Sequence, residues 1–465
     1  MQQVGIIGMA VMGKNLALNI KNNGYSVSVF NITRAETDEV ASKYADKNLL
    51  ATYSWEEFVG SLEKPRKIIM MIKAGSPVDQ TIEHLQDILD KGDILIDGGN
   101  SFYKDTNRRY QYLQQFGINY IGMGISGGEL GALNGPSMMP GGDEEICQKL
   151  LPLFKKIAAK TPANEACVNY IGPEGSGHYV KMVHNGIEYG IMQAICEVYD
   201  ILRNILNLNN TEISDIFDKW NQGSLNSYLI SITTNILRQK DPITQKDMVD
   251  VILNKADYKG TGNWMIEDAL RLGTPISVIF AAVFARFVSN STLGPLTNLV
   301  HSDFTVENRN KFIKQLENAL YLAQIISYAQ GFEQLSCASK AYNWHLNYAN
   351  IAQIWEAGCI IRATSLADIK NSFVKHPSIK NILQAPFFEH LVKENLSSLR
   401  DTIKNAHECY IPTPVLDAAL DYILSIFNAK LPANLLQAQR DYFGAHTYAR
   451  IDKSGTFHTQ WYDEK

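Results

Sequence analysis

Five polar side chains of five different chemistries fall within nine residues: Lys181, His184, Asn185, Glu188 and Tyr189. On a helix turning about 100° per residue they share one face, within an arc of roughly 140°. The other positions of the run, Val180, Met182, Val183, Gly186 and Ile187, are apolar or small. A stripe that mixes a cation, an imidazole, an amide, a carboxylate and a phenol offers proton transfer and ligand hydrogen bonds on one surface. It reads as a site rather than as a solvated helix face.

A second constellation lies at the N-terminus. Gly8-Met9-Ala10-Val11-Met12-Gly13 follows a strand pattern and opens a helix pattern, the context that a dinucleotide turn requires. Such a turn lets backbone approach a pyrophosphate against the helix N-terminus. Ala10 stands where the middle glycine is usual. About 20 residues on, NAD binders place an acidic residue for the ribose hydroxyls; here the strand ends in Asn31-Ile32-Thr33-Arg34. An amide, a hydroxyl and a guanidinium receive a 2′-phosphate that a carboxylate would repel, so NADP is the expected cofactor. Ile72-Lys73-Ala74 and Asp97-Gly98-Gly99-Asn100 follow later strand patterns, on the same carboxyl edge.

The elements that must position these groups alternate in the first part of the chain. Residues 4–8, 25–31, 67–72, 93–97 and 119–124 read as buried strands, with helical patterns such as 13–23 and 77–90 between them. The alternation predicts an α/β, Rossmann-like parallel sheet over residues 1–176, closing near 172–177, where Pro173 and three glycines interrupt the pattern. From 178 to about 427 the periodicity is helical, giving one large all-α domain over 177–431. Ile213, Ile216 and Phe217 recur 138 residues later as Ile351, Ile354 and Trp355, a thin internal echo. Residues 432–465 carry little apolar periodicity and by themselves read as a loose, extended tail.

The 465 residues, 45% hydrophobic and 20% charged, suit a chain of about three domains with large cores. A net charge of −5 gives no reason to expect nucleic acid or a membrane surface as partner. The longest apolar run, 278–285, falls short of the ~18 residues of a membrane span. The start MQQVGIIG reads as a strand and glycine turn rather than as a signal peptide. Six cysteines form no CxxC pair, so neither a disulfide framework nor a zinc site is indicated, and no other metal-ligand cluster is evident. The expected setting is the cytoplasm.

The motifs GMAVMG, DGGN, ISGGELGALNGPSMMPGG, GHYVKMVHNGIEYG, KGTGNW and NLLQAQRDYFGAHTY together resemble the 6-phosphogluconate dehydrogenases, decarboxylating enzymes of the pentose phosphate pathway. The resemblance runs over essentially the whole chain. It implies a Rossmann-like domain, a large helical domain, and a C-terminal tail that enters the other subunit of a homodimer. By that resemblance Lys181 matches the general base for the C3 hydroxyl and Glu188 the acid that protonates C1. Asn100, Ser126, Gly127, Gly128, His184 and Asn185 match positions that hold the sugar acid. Tyr189, Lys259, Thr261 and Arg286 match the cradle of the 6-phosphate, and Arg440 and His446 match residues contributed by the partner's tail. The cofactor positions are those already singled out. The family commonly has arginine where this chain has Ile32. Charged hydrogen bonds are worth about 1.5–3 kcal/mol each, so the preference for NADP over NAD is expected to be narrower by roughly ten- to a hundredfold.

The chemistry follows from these residue types. A lysine takes a hydroxyl proton only when neutral, so burial or nearby positive charge must lower its pKa. Lys181 sits among Val180, Met182 and Val183, which favours that. The oxidised product is a β-keto acid, which loses carbon dioxide once its carbonyl oxygen is hydrogen-bonded, so no metal is required. Glu188, about two helical turns from Lys181, then supplies a proton to the enediol. Arg286, within the run Val283-Phe284-Ala285-Arg286-Phe287, is expected to be a buried cation in need of an anionic partner. Two other readings compete. Shorter β-hydroxyacid dehydrogenases share the fingerprint, the Ser-Gly-Gly loop and the Lys181–Asn185 spacing, but lack the Lys259 loop and the tail. A nucleotide-binding regulator without catalysis would not need Lys181 and Glu188.

Overall fold

The computed structural model describes residues 1–257, 260–291, 293–294 and 305–462. Seven strands form one sheet: β1 (Val4–Ile7), β2 (Val27–Phe30), β3 (Leu49–Ala51), β4 (Lys67–Met70), β5 (Ile94–Asp97), β6 (Asn119–Ser126) and β7 (Ser137–Gly141), in the order β3-β2-β1-β4-β5-β6-β7. The first six are parallel and β7 runs antiparallel to β6. Helices cover both faces, and β1, β2 and β5 are buried throughout, which is why they read as continuous apolar runs. One face packs Leu16, Ile20 and Phe154; the other packs Phe58, Ile82 and Leu113.

All five expected strands are present. β3 and β7 are additional, and each has a reason to be illegible: β3 has three residues, and β7 carries Pro140 within a Gly- and Met-rich stretch. The winding reverses between β1 and β4, and the register there is level: Ile7 pairs with Phe30 and with Met70, and Met70 with Asp97. The chain therefore leaves β1 at Gly8, β2 at Asn31, β4 at Met71 and β5 at Gly98 along one edge, beside the crevice where such sheets bind ligands.

The glycine-rich break ends earlier than its composition suggests. Gly175 is the cap of helix Ser176–Ile205, and Gly177 lies inside that helix. Its missing side chain is used for packing: a Cβ on Gly177 would overlap the carbonyl oxygens of Met139 and Gly122. The helix thus lies directly on β6 and β7. On its other side it packs against helix Arg309–Ala341, where Gly190 faces Ser327 and Gly331 receives Ile187. The echoed triplets fall on corresponding short helices, Asn210–Trp220 and Tyr348–Trp355. Among the described residues no helix is long and apolar enough to cross a membrane.

Contacts divide the chain into two compact units, Met1–Ala418 and Ala419–Lys465. The second corrects the expectation of a loose tail. It contains helix Ala433–Gly444 and an antiparallel bridge between Tyr448 and Phe457. From Ala433 onward order does not come from burial of apolar side chains, since Leu435, Leu436, Tyr442 and Phe443 are exposed, and this explains the missing apolar periodicity. It comes from Asp441, whose carboxylate accepts the backbone N–H groups of Thr447 (2.8 Å) and Thr459 (3.1 Å) and Trp461 Nε1 (2.8 Å), and contacts His458 Nδ1 at 2.9 Å.

Candidate active site

The stripe is built on the first half of helix Ser176–Ile205, and its placement begins with β6. A Cβ on Gly124 would overlap Lys181 Cβ, so the lysine stem rests on bare strand backbone. From there Lys181 Nζ donates to Asn185 Oδ1 at 2.7 Å and lies 3.2 Å from His184 Nδ1. His184 Nε2 is 3.1 Å from Ser126 Oγ, at the end of β6, and His184 Nδ1 is 3.8 Å from Glu188 Oε2. Lys181, His184 and Asn185 are buried, and Glu188 is partly open.

Burial lowers the Lys181 pKa from its ordinary value, opposed by the charge of Glu188 and by Cys359. Burial raises that of Glu188, opposed by Lys181 and Arg286. Both shifts favour the neutral forms, the ones a general base and a general acid must hold at the start of a reaction. Burial, together with Lys181, holds His184 well below its ordinary value. The ring is therefore neutral with a single N–H; Nδ1 lies 3.2 Å from both Lys181 Nζ and Asn185 Oδ1, and Nε2 faces Ser126 Oγ.

The Ser126-Gly127-Gly128 turn closes against a segment that the sequence did not single out. Gly127 has φ 141°, and a Cβ there would come within 2.6 Å of the Gly358 carbonyl oxygen. Gly128, at φ 62°, opens the short helix Gly128–Asn134. The Ile360 N–H points to Ser126 Oγ at 3.4 Å, and Trp355 packs edge-on to His184 with centroids 5.8 Å apart. Only a sequence distance of more than 200 residues hides this segment; its Gly358 was the available signal.

Tyr189 lies one residue beyond Glu188, and its ring passes under a Cβ-free position at Gly262. Arg286 stacks on the same ring with its guanidinium carbon 3.5 Å from the centroid. Thr261 is buried as the first residue of helix Thr261–Leu272, capped by Gly260 in the left-handed region. Tyr189, Thr261 and Arg286 thus converge, while Lys259 lies outside the described residues. Arg286 corrects one expectation: it is half-exposed rather than buried, because it is near the end of its helix. It donates to the Asp257 carbonyl at 3.0 Å.

At the sheet edge the dinucleotide turn has the required form. Gly8 has φ 97°, and a Cβ there would press on the Met71 carbonyl; one on Gly13 would overlap the Gly8 carbonyl oxygen. Ala10 sits at φ −65° and ψ 178°, open to an ordinary residue, so the missing middle glycine costs no backbone strain. Ala10 and Val11 are exposed, Met12 is half-buried and Met9 is buried. Asn31 Oδ1 accepts the Met9 N–H at 3.0 Å, tying the strand end to the turn. Ile32 is 74% exposed, leaving an apolar face free for an adenine. Thr33 occupies the cap position of helix Arg34–Tyr44 without a side-chain capping bond. Arg34 lies over Tyr53 at 4.6 Å and pairs with Asp38 at 3.5 Å, an exposed pair worth little and no obstacle to a phosphate. Ile72 and Ala74 are half-buried, and Lys73 and Asn100 are exposed on the same edge. The Asp97-Gly98-Gly99-Asn100 loop is shaped by Asp97, which accepts from the Gly99 N–H, Ser101 Oγ and Tyr120 Oη. These residues fit a dinucleotide with a 2′-phosphate.

Arg440 and His446 belong to the second unit. Both are exposed, with Arg440 bonded to Gln437 Oε1 at 3.2 Å and His446 against Phe443.

The sheet, its glycine turn and the helix face carrying the buried Lys181 and the partly open Glu188 define a nicotinamide-dependent dehydrogenase with a Rossmann-like domain and a helical second part. Residues 3–172 match the NAD binding domain of 6-phosphogluconate dehydrogenase, and residues 177–461 match the 6-phosphogluconate dehydrogenase C-terminal domain. The chain belongs to the 6-phosphogluconate dehydrogenase family. It is 51% identical over 466 residues to the decarboxylating 6-phosphogluconate dehydrogenase of Escherichia coli (strain K12), covering 99% of each chain. Identity is also 51% over 466 residues, with 99% of each chain covered, to the NADP(+)-dependent, decarboxylating enzyme of Bacillus subtilis (strain 168). In three dimensions it is similar to Plasmodium falciparum 6-phosphogluconate dehydrogenase, with a TM-score of 0.92, 42% identity, and coverage of 99% of this chain and 100% of that one. The Plasmodium enzyme is described in its apo form, with NADP+ and with 6-phosphogluconate.

Proposed function

We propose that the protein converts 6-phospho-D-gluconate to D-ribulose 5-phosphate and carbon dioxide with reduction of NADP, in the oxidative pentose phosphate pathway. The observation that carries the reading is the Lys181–His184–Asn185–Glu188 group, where burial favours a neutral amine and a protonated carboxyl on one helix face, with His184 in contact with both side chains.

NADP is held by Gly8 to Gly13, by Asn31 to Arg34, by Ile72 to Ala74 and by Asn100, and when bound it supplies the hydride acceptor. Lys181 Nζ takes the proton of the substrate C3 hydroxyl, and the ammonium so formed stays hydrogen-bonded to Asn185. As carbon dioxide leaves the 3-keto acid, the Lys181 ammonium gives its proton to the carbonyl oxygen, forming the enediol. Glu188 then gives its proton to C1 of the enediol as Lys181 takes back the hydroxyl proton, and passage of that proton to Glu188 restores both groups. Each transfer is worth about 10²–10⁴ in rate. Ser126, Gly127, Gly128, Asn100, His184 and Asn185 hold the sugar acid, and Tyr189, Lys259, Thr261 and Arg286 hold the phosphate. The β-keto acid carries its own electron sink, so the scheme uses no metal.

The same reading assigns residues 1–176 to NADP, 177–431 to substrate and dimerisation, and 432–465 to a tail that completes the partner's site in a cytoplasmic homodimer through Arg440 and His446. The exposed apolar side chains of helix Ala433–Gly444 support a covered position for it. The purified protein mixed with 6-phosphogluconate and NADP should form reduced nicotinamide and carbon dioxide in equal amounts. Reduction without carbon dioxide would favour a non-decarboxylating hydroxyacid dehydrogenase, and no reduction a nucleotide-binding regulator.

A further inference from the structure

Away from the reacting groups, one buried carboxylate gathers three phenols from three different parts of the first unit. Asp268 Oδ1 accepts from Tyr103 Oη at 2.9 Å and from Tyr342 Oη at 2.8 Å, and Asp268 Oδ2 accepts from Tyr179 Oη at 2.6 Å. Arg271 Nε and Nη2 add bonds to Oδ1 at 3.1 and 2.5 Å. Gln334 Nε2 in turn donates to Tyr179 Oη at 2.7 Å, and the Tyr103 and Tyr342 hydroxyls are 3.0 Å apart. Burial, reinforced by Asp268, raises the pKa of both Tyr103 and Tyr179, so these phenols remain donors.

The origins of the partners give the cluster its meaning. Tyr103 opens the helix that follows the Asp97–Asn100 loop at the cofactor edge. Tyr179 is two residues before Lys181 on the helix that carries the stripe. Asp268 is seven residues, about two turns, after Thr261 on one buried face of helix Thr261–Leu272. Phe102 also packs on Trp264 of that helix, with centroids 5.0 Å apart. The carboxylate therefore ties together the cofactor edge, the helix of the base and the helix whose N-terminus lies beside Tyr189.

We propose that Asp268 is a positioning residue that sets the distance between the phosphate cradle at Thr261 and the reacting groups at Lys181 and the Asp97–Asn100 loop. It rests on the phosphate cradle of the proposed function. A substrate anchored by its phosphate presents C3 to Lys181 only if that distance matches its carbon chain, and a misplacement of about 1 Å costs on the order of a hundredfold in rate. An amide at 268 keeps the volume, but its nitrogen has no lone pair, so at least one phenol loses its acceptor.

The test compares kcat/KM for 6-phosphogluconate with kcat/KM for unphosphorylated gluconate in the full-length enzyme, with NADP saturating. Asp268→Asn should lower that ratio by about tenfold or more, and Tyr103→Phe, which removes the Asp268 bond to the cofactor edge and leaves Phe102 on Trp264, by about threefold. Tyr342→Phe removes a phenol from the same oxygen, and its contact with the Tyr103 hydroxyl, but leaves the Tyr103–Asp268 bond in place and should leave the ratio within about twofold. A clear wild-type preference that both Asp268→Asn and Tyr103→Phe retain, or an equal shift in Tyr342→Phe, overturns the role of Asp268. If Asp268→Asn does not fold, Tyr103→Phe against Tyr342→Phe decides by the same ratio. A wild type that uses both acids equally removes the phosphate cradle itself, and this proposal with it.

Discussion

Lys181 rests on Gly124: no Cβ fits between the β6 backbone and the lysine stem. The strand thereby fixes the height of the amine over the site, and the helix can approach only because Gly122, Gly124 and Gly177 leave room. Gly124→Ala should push Lys181, with the helix that carries it, away from β6 and so away from the Ser126 end of the site. The added methyl meets a stem atom rather than a flexible tip, so the overpacking costs about 1–3 kcal/mol of stability. The displaced amine should lower kcat by about a hundredfold. Steady-state kinetics with a thermal melt checks both, and an unchanged kcat would show that the amine is not held by this contact.

Burial moves Lys181 downward and Glu188 upward from their ordinary values. In the proposed mechanism the productive state holds a neutral lysine and a protonated glutamate, so activity should fall on acidification as Lys181 gains its proton and on alkalinisation as Glu188 loses its own. A bell-shaped pH profile of kcat/KM is expected, with both limbs moved inward from the unperturbed lysine and glutamate values. Each apparent pKa belongs to the coupled pair. Glu188→Gln should be nearly inactive at every pH. A flat profile from about pH 5 to 10 would rule out this assignment.

Ile32 stands exposed between Asn31 and Thr33, where the 2′-phosphate end of the cofactor is expected. The native enzyme should prefer NADP to NAD by a modest margin. Ile32→Arg should widen the margin by about ten- to a hundredfold, the worth of one charged hydrogen bond. The ratio of kcat/KM on the two cofactors measures this directly; a native preference for NAD would contradict the reading of this strand end.

Asp441 clasps the last part of the second unit, joining helix Ala433–Gly444 to Thr447, His458, Thr459 and Trp461. Burial of its carboxyl raises the pKa, but the bonds from His458, Thr459, Trp461 and Thr447 outweigh this and hold it well below the ordinary aspartate range. Its contribution to folding is therefore present above the ordinary aspartate pKa and is lost as pH falls through the depressed one. Asp441→Asn should expose the segment after Gly444 to proteolysis while the first unit stays intact. Because Arg440 and His446 are proposed to complete a partner's site, KM for 6-phosphogluconate should rise while KM for NADP holds within about twofold. Protease resistance equal to wild type would show that Asp441 is not the clasp.

The alternation of strand and helix was legible, as was the stripe on one helix face, because both follow from backbone periodicity. What escaped was set by tertiary contact. Gly122 and Gly124 read as ordinary strand glycines, yet they seat the helix that carries Lys181. Gly358 and Ile360 close on Gly127 and Ser126 from far along the chain. Arg286 sits in an apolar run that suggests burial, but helix ends near it and leaves it half-exposed against Tyr189. The segment after residue 432 lacks periodicity because polar clasping by Asp441 replaces burial, a pattern that single-residue composition does not display.

The central claim is that Lys181 takes the C3 proton as a neutral amine. Lys181→Arg tests it most directly, since a guanidinium retains charge and reach but cannot be deprotonated in a protein. Measured at saturating NADP, kcat should fall by about 10²–10⁴, with the dissociation constant of 6-phosphogluconate within about threefold of wild type. A kcat within about threefold of wild type would contradict the account.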